Sequence, residues 1–252
     1  MKVLRTIVVL FAILFALSSF SPIQAQVEEL QIFLPIIMNN NKVRSESVYV
    51  REETVQRVSR QSPWGDGMYD IWMGIVRNDS SQTKKYIEVE VLYYNSANQL
   101  IGHQTEMING VIPPDGERCF GFYIDSQVST GFMKASFRIK SFYDEDSQKY
   151  RALSVDNFSK IEIAVWNEFP NYKIFQYKGT IHNTYPETLY QTVLTITGFD
   201  NLGRVTECVN NSFSYYDGFY PDQYFYFSFN GFAAPETISH TIINVSGSVE
   251  RY

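Results

Sequence analysis

An internal repeat of about one hundred residues constrains the fold of this chain more than any other feature. The segment GIVRNDSSQTKKYIEVEVLYYNSANQL, Gly74 to Leu100, aligns without gaps with GTIHNTYPETLYQTVLTITGFDNLGRV, Gly179 to Val205. After a small insertion the match continues, with PPDGERCFGF in the first copy and YPDQYFYFSF, Tyr220 to Phe229, in the second. A fixed period is typical of duplication. Two copies of this length predict two tandem domains and not one large domain.

Each copy is predicted to be a β-sandwich. In YIEVEVLYY, Ile87, Val89 and Val91 share one face and Glu88 and Glu90 share the other, as in a half-buried strand. The other predicted strands cover residues 48–59, 69–78, 100–109, 118–124 and 133–142 in the first copy, and 158–167, 173–182, 188–199, 204–215, 223–230 and 239–249 in the second. Several short strands separated by turns predict an all-β sandwich fold.

The motifs of the repeat resemble the FxLYD family of extracellular immunoglobulin-like domains. That family has a G-x-V-x-N-x-S start, an alternating strand that ends F-x-L-Y-D, and a later loop rich in Pro and Gly. The matching residues are Gly74, Val76, Asn78, Ser80, Val91, Tyr93, Tyr94, Asn95, Pro113, Pro114 and Gly116 in the first copy, and Gly179, Ile181, Asn183, Ile196, Gly198, Phe199, Asp200 and Pro221 in the second. The resemblance implies two tandem immunoglobulin-like β-sandwiches, a bacterial source and no catalysis. Gly198 stands where the family places a buried Leu, which predicts a bend or bulge there.

The N-terminal residues predict secretion. Lys2 and Arg5 precede an unbroken apolar run, and small residues then lead to Ala25, which is the pattern of a secretory signal peptide. The run is shorter than the ~20 residues of a membrane-spanning helix, although an uncleaved anchor is the alternative. We expect a secreted, extracellular chain with no stable membrane span after the leader is removed. The predicted divisions are a signal peptide at 1–25, an extended lead-in at 26–47, the first sandwich at 48–143, a linker at 144–156 and the second sandwich at 157–252.

The segment SYYDGFYPDQYFYFSFNGF, residues 214–232, is unusually rich in aromatic residues. Phe225, Phe227 and Phe229 alternate and are predicted to face the core, so that Tyr224 and Tyr226 point away from it. The predicted ligand-binding residues are Tyr215, Tyr216, Phe219, Tyr220, Tyr224 and Tyr226. Tyrosine rings suit protein contacts and can stack on sugars. The alternative is a structural role, at the interface between the copies or as cover for a sheet edge.

The sequence contains no recognisable catalytic or metal-binding motif. The three histidines, His103, His182 and His240, are isolated, and neither a nucleophile elbow nor a phosphate-binding loop appears. We therefore expect no enzymatic activity and no cofactor. The candidate calcium ligands are the acidic residues of YDEDSQ, namely Asp144, Glu145 and Asp146. A bent acidic loop can bind calcium, and the alternative is a solvated acidic turn.

The two cysteines lie in different copies and at positions that the repeat does not make equivalent. A bond between Cys119 and Cys208 would have to bridge the two domains, and it requires a close approach that the sequence does not establish. Small secreted scaffolds that depend on disulfides use more cysteines than this. Free or buried thiols are therefore expected.

The charge balance narrows the possible partners. The formal net charge is -6 and no cluster of Lys and Arg is present, which argues against nucleic-acid binding. The expected function is that of a secreted, non-catalytic binding or adhesion/spacer protein that meets a protein or glycan at the cell surface. A glycan-binding module is the alternative, followed by an enzyme with a site at the domain junction.

Overall fold

A computed structural model describes residues 47–61, 68–124, 131–165, 173–231 and 238–250, and most of these residues lie in strands. The strands of the first copy are β1 (Val48–Gln61), β2 (Met68–Asn78), β3 (Thr83–Tyr94), β4 (Leu100–Ile112), β5 (Glu117–Tyr123) and β6 (Lys134–Glu145). Those of the second copy are β7 (Tyr150–Val165), β8 (Lys173–His182), β9 (Leu189–Phe199), β10 (Val205–Phe219), β11 (Tyr224–Asn230) and β12 (His240–Ser248). The predicted signal peptide and all but the last residue of the predicted lead-in lie outside the described residues.

The two copies have the same strand order. In the first copy the sheets are β1-β2-β5 and β4-β3-β6, and in the second the equivalent strands run β7-β8-β11 and β10-β9-β12. The end of β12 also pairs with the start of β7, where Val245 lies opposite Leu153, and this joins the second set into one six-stranded sheet. The predicted all-β sandwich fold is confirmed, and the duplication extends to the strand order.

A glycine allows close packing of a phenylalanine at the same point in each copy. Gly74 on β2 pairs with Phe120 on β5, and Gly179 on β8 pairs with Phe227 on β11. A Cβ atom would lie 2.7 Å from the Phe120 ring at Gly74 and 2.6 Å from the Phe227 ring at Gly179. Such approaches leave no room for a larger residue, so the first glycine of the repeat motif is explained by packing.

An asparagine ties together two turns in each copy. The Nδ2 atom of Asn78 donates to the carbonyl of Ile112 at the end of β4, and that of Asn183 donates to the carbonyl of Phe219 at the end of β10, each at 2.9 Å. In both copies the Oδ1 atom accepts from the backbone N–H two residues further on, at 3.1 Å. These bonds satisfy buried backbone groups where the strands end, which accounts for the Asn of the repeat motif.

Each copy has a buried cluster of its own. The largest in the first copy includes Trp72, whose ring lies 5.2 Å edge-on from that of Phe137. The cluster of the second copy includes Phe227, which is 2% exposed, with Phe225 and Phe229 partly buried against it. The predicted inward direction of these three phenylalanines is therefore correct.

The segment predicted as a linker, residues 144–156, is mostly regular structure. β6 continues to Glu145, a 3-10 helix spans Ser147–Lys149, and β7 begins at Tyr150. The Asp146 side chain accepts the backbone N–H of Gln148 and closes the turn at 2.9 Å. One tight turn therefore replaces the predicted linker. Among the described residues, no helix is long and apolar enough to cross a membrane.

A third cluster contains residues of both copies. It combines residues on the outer side of the β1-β2-β5 sheet with residues near the turn between β9 and β10. Its buried members are Val58, Ile71, Met73, Ile75, Cys119, Phe199 and Val205. The Nε2 atom of Gln56 on β1 also donates to the carbonyl of Val205, at 2.6 Å. We call this contact region the junction.

Candidate functional site

The tyrosines of β11 lie on the outer face of the β7-β8-β11 sheet. Tyr224 pairs with His182 and Tyr226 with Thr180, both on β8. The two tyrosines are 65% and 60% exposed, whereas Phe227 next to them is buried. Because successive side chains in a strand point to opposite faces, this arrangement follows from the predicted alternation. We call the surface formed by Tyr224 and Tyr226 the tyrosine face.

The other predicted binding residues are placed differently. Tyr220 is exposed at the turn between β10 and β11. Phe219 is only 2% exposed and belongs to the core cluster of the second copy, so its predicted role in binding is wrong. It ends β10, where its ring faces inward. Tyr215 and Tyr216 lie in β10, and their side chains are outside the part that the structure describes.

His182, which is isolated from the other histidines in the sequence, is a neighbour of the tyrosine face. Its ring stacks on that of Tyr224 with the centroids 4.1 Å apart and the planes 12° from parallel. Its Nε2 atom lies 3.8 Å from Oδ1 of Asp222, in the turn before β11. The pairing of β8 with β11 brings these residues together, and only the strand register could have predicted it.

Exposed aliphatic side chains lie on β7 of the same sheet. Ile161 and Ile163 are exposed large aliphatic residues. Ile161 pairs with Gln176 on β8, and Gln176 pairs with Asn230 on β11, so the three strands form one continuous sheet here. The outer side of this sheet thus carries two aromatic rings on β11 and an exposed isoleucine on β7, with polar residues of β8 between them.

The equivalent face of the first copy is covered. The repeat places Cys119 at the position of Tyr226, and Cys119 is fully buried in the junction with Met73 and Ile75. The second copy contributes Phe199 and Val205 to the junction, which are not residues of its β7-β8-β11 sheet. The tyrosines therefore do not fill the interface between the copies, which was one of the two structural alternatives. Because β11 is the edge strand of its sheet, the other alternative, cover for a sheet edge, stays a prediction.

The two cysteines form a disulfide across the junction. The Cys119–Cys208 bond has an S–S distance of 2.07 Å and a Cα–Cα distance of 5.7 Å. The expectation of free thiols was therefore wrong. The junction brings β5 of the first copy against β10 of the second, so the cysteines that meet there need not be equivalent in the repeat. The two cysteines occupy positions that are not equivalent in the repeat because the contact joins different strands of the two copies.

A cleft of about 370 Å³ opens beside the disulfide. Its lining comes from β4 and β5 of the first copy and from β10 and β11 of the second: Glu106, Met107, Ile108, Phe120, Gly121, Cys208, Val209, Asn210, Asn211, Phe229 and Asn230. Burial raises the pKa of Glu106 above its ordinary value. These lining residues include one carboxylate and no histidine, so they do not supply the acid and histidine expected of a hydrolytic site at the junction.

The three acidic residues proposed as calcium ligands are engaged separately. Asp144 pairs with Lys84, Glu145 pairs with Lys149 at 3.1 Å, and Asp146 caps the 3-10 helix. In the described parts of the chain, no group of three or more Asp, Glu, His or Cys residues is arranged to hold a metal ion. Each of the three carboxylates therefore has a partner of its own within the chain.

The fold and these surfaces define an all-β sandwich protein, and comparison with known proteins adds little. No family model and no curated protein sequence matches the chain. Among solved structures, red sea bream transglutaminase matches with 9% identity and a TM-score of 0.22. The match covers 72% of this chain and 27% of that one, so this chain spans about a quarter of its length.

The matched structure corrects one expectation. Transglutaminase is an enzyme, so the expectation that this chain has no enzymatic activity is not upheld. With so low a TM-score, the likeness carries no argument for a particular reaction. The resemblance to FxLYD domains stays a prediction.

Proposed function

We propose that this chain is a secreted binding or adhesion protein that contacts a protein partner at the cell exterior through the tyrosine face. One observation carries the proposal: Tyr224 and Tyr226 are 65% and 60% exposed, while the equivalent face of the first copy is buried in the junction. The same sandwich face is thus covered once within the chain and left open once.

The chemistry of the open face favours a protein partner. Tyrosine offers a large rigid apolar ring and a hydroxyl group that can bond to a partner, and tyrosine is enriched in protein interfaces. One side of the Tyr224 ring is already covered by His182, and the exposed aliphatic residue Ile161 lies on β7 of the same sheet, with β8 between it and β11. A surface that combines aromatic, polar and aliphatic side chains supports contact with another protein more than stacking on sugars.

Two features support an extracellular location. The first 25 residues have the pattern of a secretory signal peptide. The Cys119–Cys208 disulfide belongs to the kind of bond that forms and persists in oxidising compartments. The resemblance to FxLYD domains is in keeping with both and supports a bacterial source.

The test is the paired substitution Tyr224→Ala with Tyr226→Ala. Pull-down from cell-surface extracts should retain a partner with the wild-type chain and lose it with the variant, while the melting temperature changes little because both side chains are exposed. The matched control is Tyr86→Ala with Tyr143→Ala, an exposed pair of contacting tyrosines in the first copy. This control should bind like the wild type.

Two results would contradict the proposal. A large drop in melting temperature with unchanged binding would assign the tyrosines a structural role. Binding of the wild-type chain to a glycan array, lost with the same paired substitution, would show that the tyrosine face binds a glycan and not a protein.

A further inference from the structure

We infer that the cleft at the junction binds a small organic amine, with its ammonium group against Glu106 and its apolar body between the two copies. The inference is independent of the tyrosine face, since the residues of that face do not line the cleft. Neither copy has the site alone, because its lining comes from strands of both.

The size of the cleft suits a small molecule. Its volume of about 370 Å³ falls within the range of roughly 300–1,000 Å³ that is typical of ligand pockets. Because one water molecule occupies about 30 Å³ of liquid, the cleft has room for about a dozen waters or a ligand with a similar number of non-hydrogen atoms. A peptide segment of several residues would not fit within it.

The charge of the lining favours a cation. Glu106 is an acidic lining residue, and the lining includes no Lys, Arg or His. Among the described residues, the Glu106 carboxylate makes no ion pair or hydrogen bond, and Glu106 is a solvent-exposed residue of the cleft lining. A cation in the cleft would be attracted to this carboxylate, whereas an anion would meet a like charge.

The remaining lining can hold both ends of an amine. The Met107 side chain and the Phe229 ring offer apolar contact, and an aromatic ring also attracts a nearby cation. Asn211 forms no side-chain hydrogen bond with the described residues, so its amide oxygen is available to the ammonium group. Asn210 is instead occupied by Thr195 at 2.8 Å.

The disulfide holds the two walls of the cleft in place. Cys208 is itself a lining residue, and its bond to Cys119 connects the wall from β10 to the wall from β5. Asn210 adds a hydrogen bond to the carbonyl of Cys119, at 3.4 Å. A pocket that is already formed loses less free energy on binding, so the intact bridge should favour the ligand.

The experiment compares three probes by isothermal titration calorimetry at pH 7. These are 2-phenylethylamine, its neutral analogue 2-phenylethanol and the anion phenylacetate. We expect the amine to bind about tenfold more tightly than the alcohol, as one charge-assisted hydrogen bond would give, and the anion not to bind. Glu106→Gln should remove the difference between amine and alcohol. The matched control is Glu52→Gln on β1, a carboxylate whose pKa burial also raises, and it should leave the difference unchanged.

A variant without the disulfide tests whether the bridge holds the cleft in its binding form. The paired substitution Cys119→Ala with Cys208→Ala should weaken amine binding several-fold while the preference for the amine remains. Equal affinity for amine and alcohol, an unchanged preference in Glu106→Gln, or no binding of the amine to the wild-type protein would each overturn the inference.

Discussion

The disulfide across the junction allows the most quantitative prediction. Cys119 and Cys208 are separated by 89 residues, and the segment between them includes strands of both copies. In the chain-entropy relation, closing a loop of this length restricts the unfolded state by about 4–5 kcal/mol at 25 °C. The paired substitution Cys119→Ala with Cys208→Ala should therefore lower the free energy of unfolding by about that amount.

Urea unfolding followed by tryptophan fluorescence measures this change. Oxidised wild-type protein, wild-type protein in a dithiol reductant, and the paired variant are compared at the same pH. The reduced wild type and the variant should unfold at similarly low urea concentrations, and the reductant should not affect the variant. A loss below about 1 kcal/mol would refute the reasoning, because the bridge would then restrict the unfolded chain far less than loop closure requires.

Two further predictions concern the repeat. Gly179→Ala should lower the free energy of unfolding by about 1–3 kcal/mol, since its Cβ would lie 2.6 Å from the Phe227 ring. Gly121→Ala, whose Cβ would meet its nearest neighbour at 3.7 Å, should change stability much less in the same urea titration, and equal losses would contradict the packing argument. Burial acts to raise the pKa of Asp200, but hydrogen bonds led by the backbone N–H of Arg204 outweigh it and leave that pKa below its ordinary value. The stabilisation is present above the unfolded pKa of about 4 and is lost as pH falls through the lower folded pKa. Asp200→Asn should therefore reduce the fall in melting temperature between about pH 4 and pH 2, and an unchanged fall would count against this account.

Local signals in the sequence were enough to place most strands. β8 was predicted at 173–182 and spans Lys173–His182, and β9 was predicted at 188–199 and spans Leu189–Phe199. Alternation and turn residues act over a few positions, so they can be recognised without knowledge of the tertiary contacts. Gly198 was predicted to mark a bend or bulge, but the bulge lies on the opposing strand, between Val205 and Glu207 of β10, while Gly198 itself keeps its regular pairing with Thr241 on β12.

The contact between the copies was missed, although one signal for it was present. On β2 the run IWMGIV is apolar at every position, with Ile71, Met73 and Ile75 pointing into the junction. A strand that is apolar on both faces is typical of one that is covered on both sides. The pairing of the cysteines depended on this contact and could not be inferred from either copy alone.

Comparison of the two copies of the repeat indicates what kind of contact the tyrosine face makes. The repeat places Gln176, Lys178 and Thr180 of β8 at the positions of the three apolar junction residues of β2. The junction is therefore apolar, like the interior of a folded domain. The tyrosine face instead has aromatic rings surrounded by polar side chains. Interfaces of that mixed composition belong to complexes whose partners also exist apart. A partner at this face should accordingly bind reversibly, while the two copies stay together.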